Sequence, residues 1–471
     1  MATGVTCPGC WERDLRIAAL ERQVAELEAL VRDLAARLGT NATNSSVPPS
    51  ANPLGAPKPV TKPKSKRRPG GQPGHPPRLK QLLPPERVHE VLQFVPPQCR
   101  RCHTPLPAQA GPHDPLPTRH QVIDLPPVVA QVTEYQGHSR TCPCCGEITH
   151  ATIPSELLAH SVGPRLAASL SYLSGCHGVS KRGVEEIADD LFDAPIALGT
   201  VANLEQEVSA ALAAPHQQAQ AAVQAAPVKH ADETSWKLRG RLCWLWGAAT
   251  ASVAVFVVHG KRSLLGLTAL LGVTLQGILC SDRWGVYEQV PPHRRQLCWA
   301  HLKRDFQKVV DRDGPSAAVG RRGLRLLKKV FAAWHEFQKG RLTRTQLQEH
   351  LQPLEVQMNK VLLEGAILAD DPKVATFCEN LLALEPALWT FARVEGVEPT
   401  NNFMERLVRR AVLWRKRSFG CWSQEGCRFV ERILTVVQTC RLQGKSVLGF
   451  LHDTLRAYRA AQPGPQLVTT G

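Results

Sequence analysis

Apolar residues recur first at Ile17, Leu20, Val24, Leu27, Val31, Leu34 and Leu38, with spacings that alternate between three and four. This heptad seam has mostly β-branched residues at a and leucine at d, a combination that favours a parallel two-stranded coiled coil. Arg16 at g can then reach Glu21 at e′ of the partner. The seam is short, so a lone amphipathic helix docked on the body of the protein is the alternative. Periodicity stops after Leu38. Residues 39 to about 90 are rich in proline, glycine and serine and carry Lys58, Lys62, Lys64, Lys66, Arg67 and Arg68. Such a stretch cannot bury enough apolar surface to order itself and reads as an extended basic linker. Strand-like segments return at 122–125 and 128–135.

From residue 164 the period becomes helical. Helices are expected over 164–173, over 181–192 behind an N-cap at Ser180, and after Thr200, with a turn at 193–195. Two short helices about a tight turn are compatible with a helix-turn-helix that would place 200–207 in a major groove. That segment carries acids and few bases, so a structural bundle is the alternative. An alanine- and glutamine-rich helix over 209–226, interrupted at Pro215, follows.

Residues 242–258 are almost continuously apolar. The run is shorter than the ~20 residues a bilayer span needs, and Gly247, Thr250 and Ser252 within it suit two strands joined by a turn. A helix at 264–271, a strand at 274–280, a short strand at 295–298 and a helix at 299–310 come next. Helical periods at 324–337, 342–363 and 373–391 predict a helical insertion at about 311–395, and a last helix starts near Asn402. Strand, hairpin, helix, strand, strand and then a late helix is the order of a ribonuclease-H-like α/β domain.

The expected fold class is therefore multidomain. A coiled-coil helix (1–40), the linker (41–90), a zinc ribbon (91–150) and a helical region (151–225) precede an α/β ribonuclease-H-like domain (226–460) and a disordered tail (461–471). Composition adds a partner: 471 residues with 43% apolar content support sizeable cores, while a net charge of +16 and a pI near 9.4 call for a polyanion. The absence of a secretory signal, a full-length span or a lipidation motif points to a cytosolic protein acting at the nucleoid, with no membrane partner.

Fifteen cysteines in such a chain read as metal ligands or buried apolar residues rather than a disulfide framework. Cys99-Arg-Arg-Cys102 and Cys142-Pro-Cys-Cys145 supply four thiolates for tetrahedral structural Zn2+, with Cys144 as a spare. Four thiolates leave no open position, which argues against catalytic zinc. Cys7 and Cys10 form a further CxxC pair that a parallel dimer would double, enough for one Zn2+ between subunits.

Asp232 lies in His230-Ala-Asp-Glu-Thr-Ser-Trp236, Asp282 in Ile278-Leu-Cys-Ser-Asp-Arg-Trp284 and Glu405 in Thr400-Asn-Asn-Phe-Met-Glu-Arg406. Carboxylates brought from distant segments are the hard oxygen ligands that two Mg2+ or Mn2+ ions need to cut a phosphodiester. On the last helix Arg409 follows Glu405 by four residues and Arg410 follows Arg406 by four, and Arg415, Lys416 and Arg417 extend a basic strip beside the acid. Cys298 and His301 are read as packing or hydrogen-bonding groups near the site, with Arg304 beside them.

These segments together resemble the insertion sequence 66 family of bacterial transposases. Cys298-Trp-Ala-His-Leu-Lys-Arg304 is similar to that family's signature after the second aspartate, and Arg415-Lys416 with Ser423 and Gly426 to the one after the glutamate. Arg283-Trp284 stand where Gly-Tyr is common, Met404 replaces a small residue, and Arg-Ser-Phe-Gly follows Arg415-Lys416, departures that mark a divergent subgroup. The resemblance implies a DNA transposase in which Asp232, Asp282 and Glu405 are catalytic and hold the metal. DNA ends and target would be its partners, Lys64, Lys66, Arg67, Arg68, Arg406, Arg409, Arg410, Arg415, Lys416 and Arg417 would contact them, and accessory proteins of the same element would assist. A structure-selective nuclease and a zinc-containing DNA-binding regulator without catalysis are the alternatives.

Overall fold

The computed structural model describes residues 16–27, 81–312 and 314–468. Cys7, Cys10, the seam beyond Leu27, and Lys64, Lys66, Arg67 and Arg68 lie outside the described residues. The chain divides into two compact units, Lys58–Ala130 and the remainder. Residues 16–27 form helix α1, whose seam residues Ile17, Leu20, Val24 and Leu27 are 45–60% exposed, so none of its apolar stripe is docked on described residues.

The smaller unit is mostly extended chain. Leu83 and Gln121 pair through two hydrogen bonds, Leu83 N–H to Oε1 at 2.8 Å and Nε2–H to the Leu83 carbonyl at 3.1 Å. The strands expected at 122–125 and 128–135 do not form. Their residues are extended with Val122, Ile123, Leu125 and Val132 all more than 60% exposed, because alternation alone makes no ladder without a partner strand. The ladder near this region is instead β1 (Ser139–Thr141) against β2 (Ile148–His150), antiparallel around the second CxxC pair.

Helices α2 (Ser155–Leu158), α3 (Pro164–His177), α4 (Lys181–Phe192), α5 (Leu198–Ala211) and α6 (Ala213–Ala225) follow. Ser180 caps α4 by accepting the Gly183 N–H, as expected, but α5 begins at Leu198 and Thr200 lies inside its first turn. Val201, Leu204 and Val208 of α5 are buried, Glu205 pairs with Lys181 and Glu207 with Arg459, and the exposed stripe holds Asn203 and Gln206 without a cation. This is packing of a structural bundle. The break falls at Leu212 between α5 and α6, and Pro215 sits in the first turn of α6, where a missing N–H costs little.

One five-stranded sheet organises the rest, in the order β5-β4-β3-β6-β7: β3 (Val228–Leu238), β4 (Arg241–Ala249), β5 (Ala254–His259), β6 (Ile278–Ser281) and β7 (Arg295–Leu297). The first three are antiparallel; β6 pairs parallel with β3 and β7 parallel with β6. Helix α7 (Leu264–Leu271) makes the crossover from β5 to β6. Strand β6 starts later than residue 274 because Gly277, at φ +65°, turns the chain so tightly that a Cβ there would stand 2.4 Å from the Pro227 carbonyl.

Alternation along the strands explains the apolar run at 242–258. Ala231, Trp246, Ala248 and Val255 pack on one face with α3, α5, α6, α7, α14 (Gln424–Leu442) and α15 (Val447–Arg459). Trp236, Leu245, Ala249, Ala254 and Phe256 pack on the other, against α13 (Asn402–Ser418) and α14. A sheet covered on both faces needs side chains that are apolar on both. Among the described residues no helix is long and apolar enough to cross a membrane. Helices α8 (Trp299–Asp311), α9 (Ala317–Gln338), α10 (Arg344–Leu368), α11 (Pro372–Ala383) and α12 (Thr390–Arg393) build a separate core around Trp299, Phe306 and Trp389. Within the segment expected as a disordered tail, residues 461–464 are exposed, but Leu467 is fully buried and its N–H reaches Gln218 Oε1 at 3.2 Å.

Candidate active site

Strand register places the first two acids side by side. His230 on β3 lies opposite Cys280 on β6, so the same offset puts Asp232 beside Asp282, one residue past the end of β6. Side chains two apart share a face, and Asp232 therefore points to the side of Trp236, which α13 covers. That helix can approach because β4 offers Gly247 there; a Cβ at Gly247 would fall 2.4 Å from Met404 Cε.

Glu405 is fixed one turn into α13 by the residue before the helix. Asn401 is buried, donates from Nδ2 to the Ala231 carbonyl at 2.7 Å, places Oδ1 3.1 Å from His230 Nδ1 and donates its backbone N–H to Cys298 Sγ at 3.1 Å. Its carbonyl accepts the Glu405 N–H at 3.2 Å. Cys298 in turn donates its N–H to the Ser281 carbonyl at 2.9 Å, next to Asp282. One asparagine thus joins β3, the start of α8 and the start of α13. From α8, His301 brings Nδ1 to 3.4 Å from Glu405 Oε1, and neither atom has a hydrogen-bond partner of good geometry.

The acids repel one another. Burial raises the Asp232 carboxyl well above the ordinary range, and the charges of Glu233, Asp282 and Glu405 raise it further. Burial also raises Glu233, although Tyr287 donates its hydroxyl to Oε2 at 2.7 Å and Arg262 Nε donates to Oε1 at 2.9 Å. The Arg262 guanidinium is stacked 4.0 Å from the Trp284 ring and 4.9 Å from that of Trp244, which holds its charge on Glu233. Burial lowers His301, helped by Arg304, and pushes the Cys298 thiol up to about 11. Among the described residues, the three candidate metal donors that lie within 4.8 Å of one another are Cys298, His301 and Glu405; Asp232, Asp282 and Glu405 do not close to that spacing as a set.

Comparison with known proteins places this arrangement. The family model described as "Transposase IS66 family" matches residues 160–428, more than half of the chain and the span that holds all three acids and Asn401. The chain belongs to the IS66 transposase family. A second model, for a family of unknown function, matches residues 9–80 of this IS66-family chain. Two relatives from Sinorhizobium fredii are each 24% identical to it: the uncharacterized protein y4qI over 48% of this chain and 45% of its own length, and the uncharacterized protein y4hP over 67% and 63%. The chain thus spans about half to two thirds of the length of these relatives.

In the IS66-family chain the basic strip on α13 is less uniform than its sequence. Arg406, Arg409, Arg410, Lys416 and Arg417 are exposed. Arg417 Nη1 donates to the His177 carbonyl at 3.1 Å. Arg415 is half-buried and is spent on the fold: Nη1 donates to Thr234 Oγ1 at 3.1 Å and also contacts Ser235 on β3. It braces α13 against the strand that carries Asp232 rather than offering a free cation. Asn401, Glu233, Tyr287 and Arg262 take part in the site through long-range contacts. Asn401 and Glu233 stand inside the motifs that drew attention to their neighbours, but nothing local marks their long-range partners.

The two CxxC pairs belong to different units and have the same local shape. At Cys99, the N–H of His103 reaches the Cys99 carbonyl at 3.0 Å, Arg101 N–H lies 3.4 Å from Cys99 Sγ, and His103 takes a left-handed φ of 58°. At Cys142, Gly146 N–H reaches the Cys142 carbonyl at 2.9 Å with φ 76° at Gly146. The Thr104 hydroxyl, 3.2 Å from its sulfur, brings the Cys102 thiol down to about 7, and the N–H groups of Cys145 and Cys144 lower Cys142. All of these cysteines are free of disulfides.

Proposed function

We propose that this chain is a DNA transposase of the Asp-Asp-Glu kind, built on a ribonuclease-H-like domain, with Asp232, Asp282 and Glu405 as its catalytic residues. The observation that carries this reading is the pairing of β3 with β6, which sets Asp232 beside Asp282, with Glu405 on α13 near enough that burial first, and then the charges of Glu233, Asp282 and Glu405, raise Asp232. The donor set fits a hard divalent cation: carboxylates with mutual repulsion, and a buried Glu405 oxygen without a hydrogen bond. Two Mg2+ or Mn2+ ions bound there would polarise the scissile phosphodiester and activate the attacking oxygen.

Asp232 and Asp282 hold their positions as neighbours across one parallel ladder, and Asn401 sets Glu405 against them. His301, kept neutral by burial, can accept a hydrogen bond or orient Glu405 without adding a competing charge. In the first reaction water attacks the phosphodiester at each element end and frees a 3′-hydroxyl. In the second that hydroxyl attacks a target phosphodiester in line, so no covalent protein intermediate is needed. Arg406, Arg409, Arg410, Lys416 and Arg417 hold the DNA backbone in salt-sensitive fashion, and Lys64, Lys66, Arg67 and Arg68 add to this from the linker. Cys99, Cys102, Cys142 and Cys145 are the proposed thiolates for structural Zn2+; the similar knuckle geometry and the lowered Cys102 and Cys142 thiols support this, while their sharing of one ion rests on sequence spacing. A dimer through the seam of α1 and accessory proteins of the same element complete the proposal, at work in the cytoplasm on the nucleoid.

Incubating the purified protein and Mn2+ with plasmid that carries the DNA flanking its gene tests the reading. Cleavage followed by joining of the freed ends to new DNA is expected. Cleavage without joining would favour a nuclease, and bound but unaltered DNA would favour a regulator.

A further inference from the structure

Trp422 breaks the rule that the other described tryptophans follow. It is 80% exposed, and Phe419, three residues earlier, is 75% exposed. A single exposed apolar residue is ordinary, but two large rings exposed on one short turn make an apolar feature that calls for a use. The turn that carries them, between α13 and α14, is held at every backbone contact. Phe419 adopts φ 58°, a strained value for a bulky residue, and its N–H reaches the Arg415 carbonyl at 2.8 Å. Gly420, at φ 112°, lies so close to β3 that a Cβ would meet the Lys237 carbonyl. Cys421 and the end of β3 exchange hydrogen bonds, Cys421 N–H to Lys237 O and Arg239 N–H to Cys421 O, each 2.8 Å. Arg239 Nε binds the Trp422 carbonyl at 3.1 Å, and Ser423 caps α14 immediately afterwards. The backbone is fixed and the two rings face outward.

Their surroundings are cationic. Lys237, Arg239, Arg241, Lys416, Arg417 and Arg428 are exposed around the turn, and Glu425 is the exposed acid in the first turn of α14. Glu205, whose charge also reaches Cys421, is neutralised by Lys181 at 2.7 Å. A second copy of a chain with charge +16 would be repelled from this face. Exposed π faces on a held backbone, with cations on the adjoining segments, match the way single-stranded nucleic acid is held, bases stacked on aromatics and phosphates on the rim.

We propose that Phe419 and Trp422 form a stacking platform for unpaired DNA bases, with Lys237, Arg239, Lys416 and Arg417 on the flanking phosphates. The platform is a binding element, not part of the chemistry. From Glu405 to the end of α13 is about 20 Å of helical rise, and from Asp232 to the end of β3 is about the same length of strand. The proposal rests on the reading that this chain handles DNA, and predicts that it prefers DNA whose pairing is locally open.

The test is binding by fluorescence anisotropy in EDTA, so that no cleavage intervenes, of the full chain to an intact labelled duplex and to the same duplex with a central run of mismatches. Wild type should bind the mismatched duplex more tightly. Trp422→Ala should weaken that complex by about 5- to 150-fold while barely altering the intact one, and Trp422→Phe should restore most of the preference. No preference in wild type, or an equal loss on both duplexes in Trp422→Ala, would overturn the platform. So would a change of oligomeric state in Trp422→Ala with DNA preference unaltered, which would give the face to a second copy. A wild-type protein that joins DNA yet shows no preference for the mismatched duplex would overturn this proposal alone. A retained preference in a protein that never joins DNA would instead overturn the transposase reading.

Discussion

Replacing Asn401 by alanine would remove the contact that sets Glu405 against β3. The side chain is buried and makes two hydrogen bonds, Nδ2 to the Ala231 carbonyl at 2.7 Å and Oδ1 with His230 Nδ1 at 3.1 Å. Alanine strands both partners in a region with little access to water. Each orphaned buried group costs about 1–3 kcal/mol, so the expected loss is about 2–5 kcal/mol after partial relaxation. The backbone bond to Cys298 Sγ survives, so α13 should still dock, loosely. Urea unfolding followed through the buried Trp299 and Trp389, with hydrogen exchange at the start of α13, measures this. Asn401→Asp keeps the acceptor but loses the donor and adds a charge beside three acids, so it should be no better than alanine. A stability change below about 1 kcal/mol in Asn401→Ala would refute the idea that this side chain fixes the glutamate.

The remaining expectations concern charge and metal. Burial raises Glu431 from its usual 4.5 to about 7, while it accepts the Val258 N–H at 2.7 Å. The folded state then binds the proton more tightly than the unfolded state, so wild type should lose about 3 kcal/mol as pH rises from 4.5 through 7. Glu431→Gln keeps the acceptor and should abolish that slope, which denaturant titrations at several pH values would reveal. Zinc analysis of protein purified without chelator should find one ion bound by the CxxC knuckles, and Cys142→Ser should release it; equal zinc in both would remove Cys142 from the ligands.

Local sequence carried the parts of this structure that depend on local forces. The period of α7, the apolar hairpin of β4 and β5, and the Ser180 cap were legible because each is written in adjacent residues. Expected strands at 122–125 and 128–135 failed because a strand is defined by its partner, which no periodicity names. Leu467 and Val468 read as tail because two apolar residues after Pro463 and Pro465 carry no period, yet distant segments bury Leu467. In the candidate site the three acids stand in motifs that adjacent residues spell out. The brace made by Arg415, and the junction at Asn401, were not, because their partners lie about 170 to 180 residues away in sequence. A run of arginines reads as a uniform strip until the structure shows which member is used internally.

The central claim is that Asp232, Asp282 and Glu405 perform DNA strand transfer. The most direct measurement is mobility in cells, using the gene with its own flanking DNA and neighbouring reading frames, wild type beside Asp232→Ala, Asp282→Ala and Glu405→Ala at matched protein levels. Joining of the flanking ends to new DNA by wild type and by none of the three variants is the predicted result. Undiminished joining in any one of them would contradict the account and remove that acid from the mechanism.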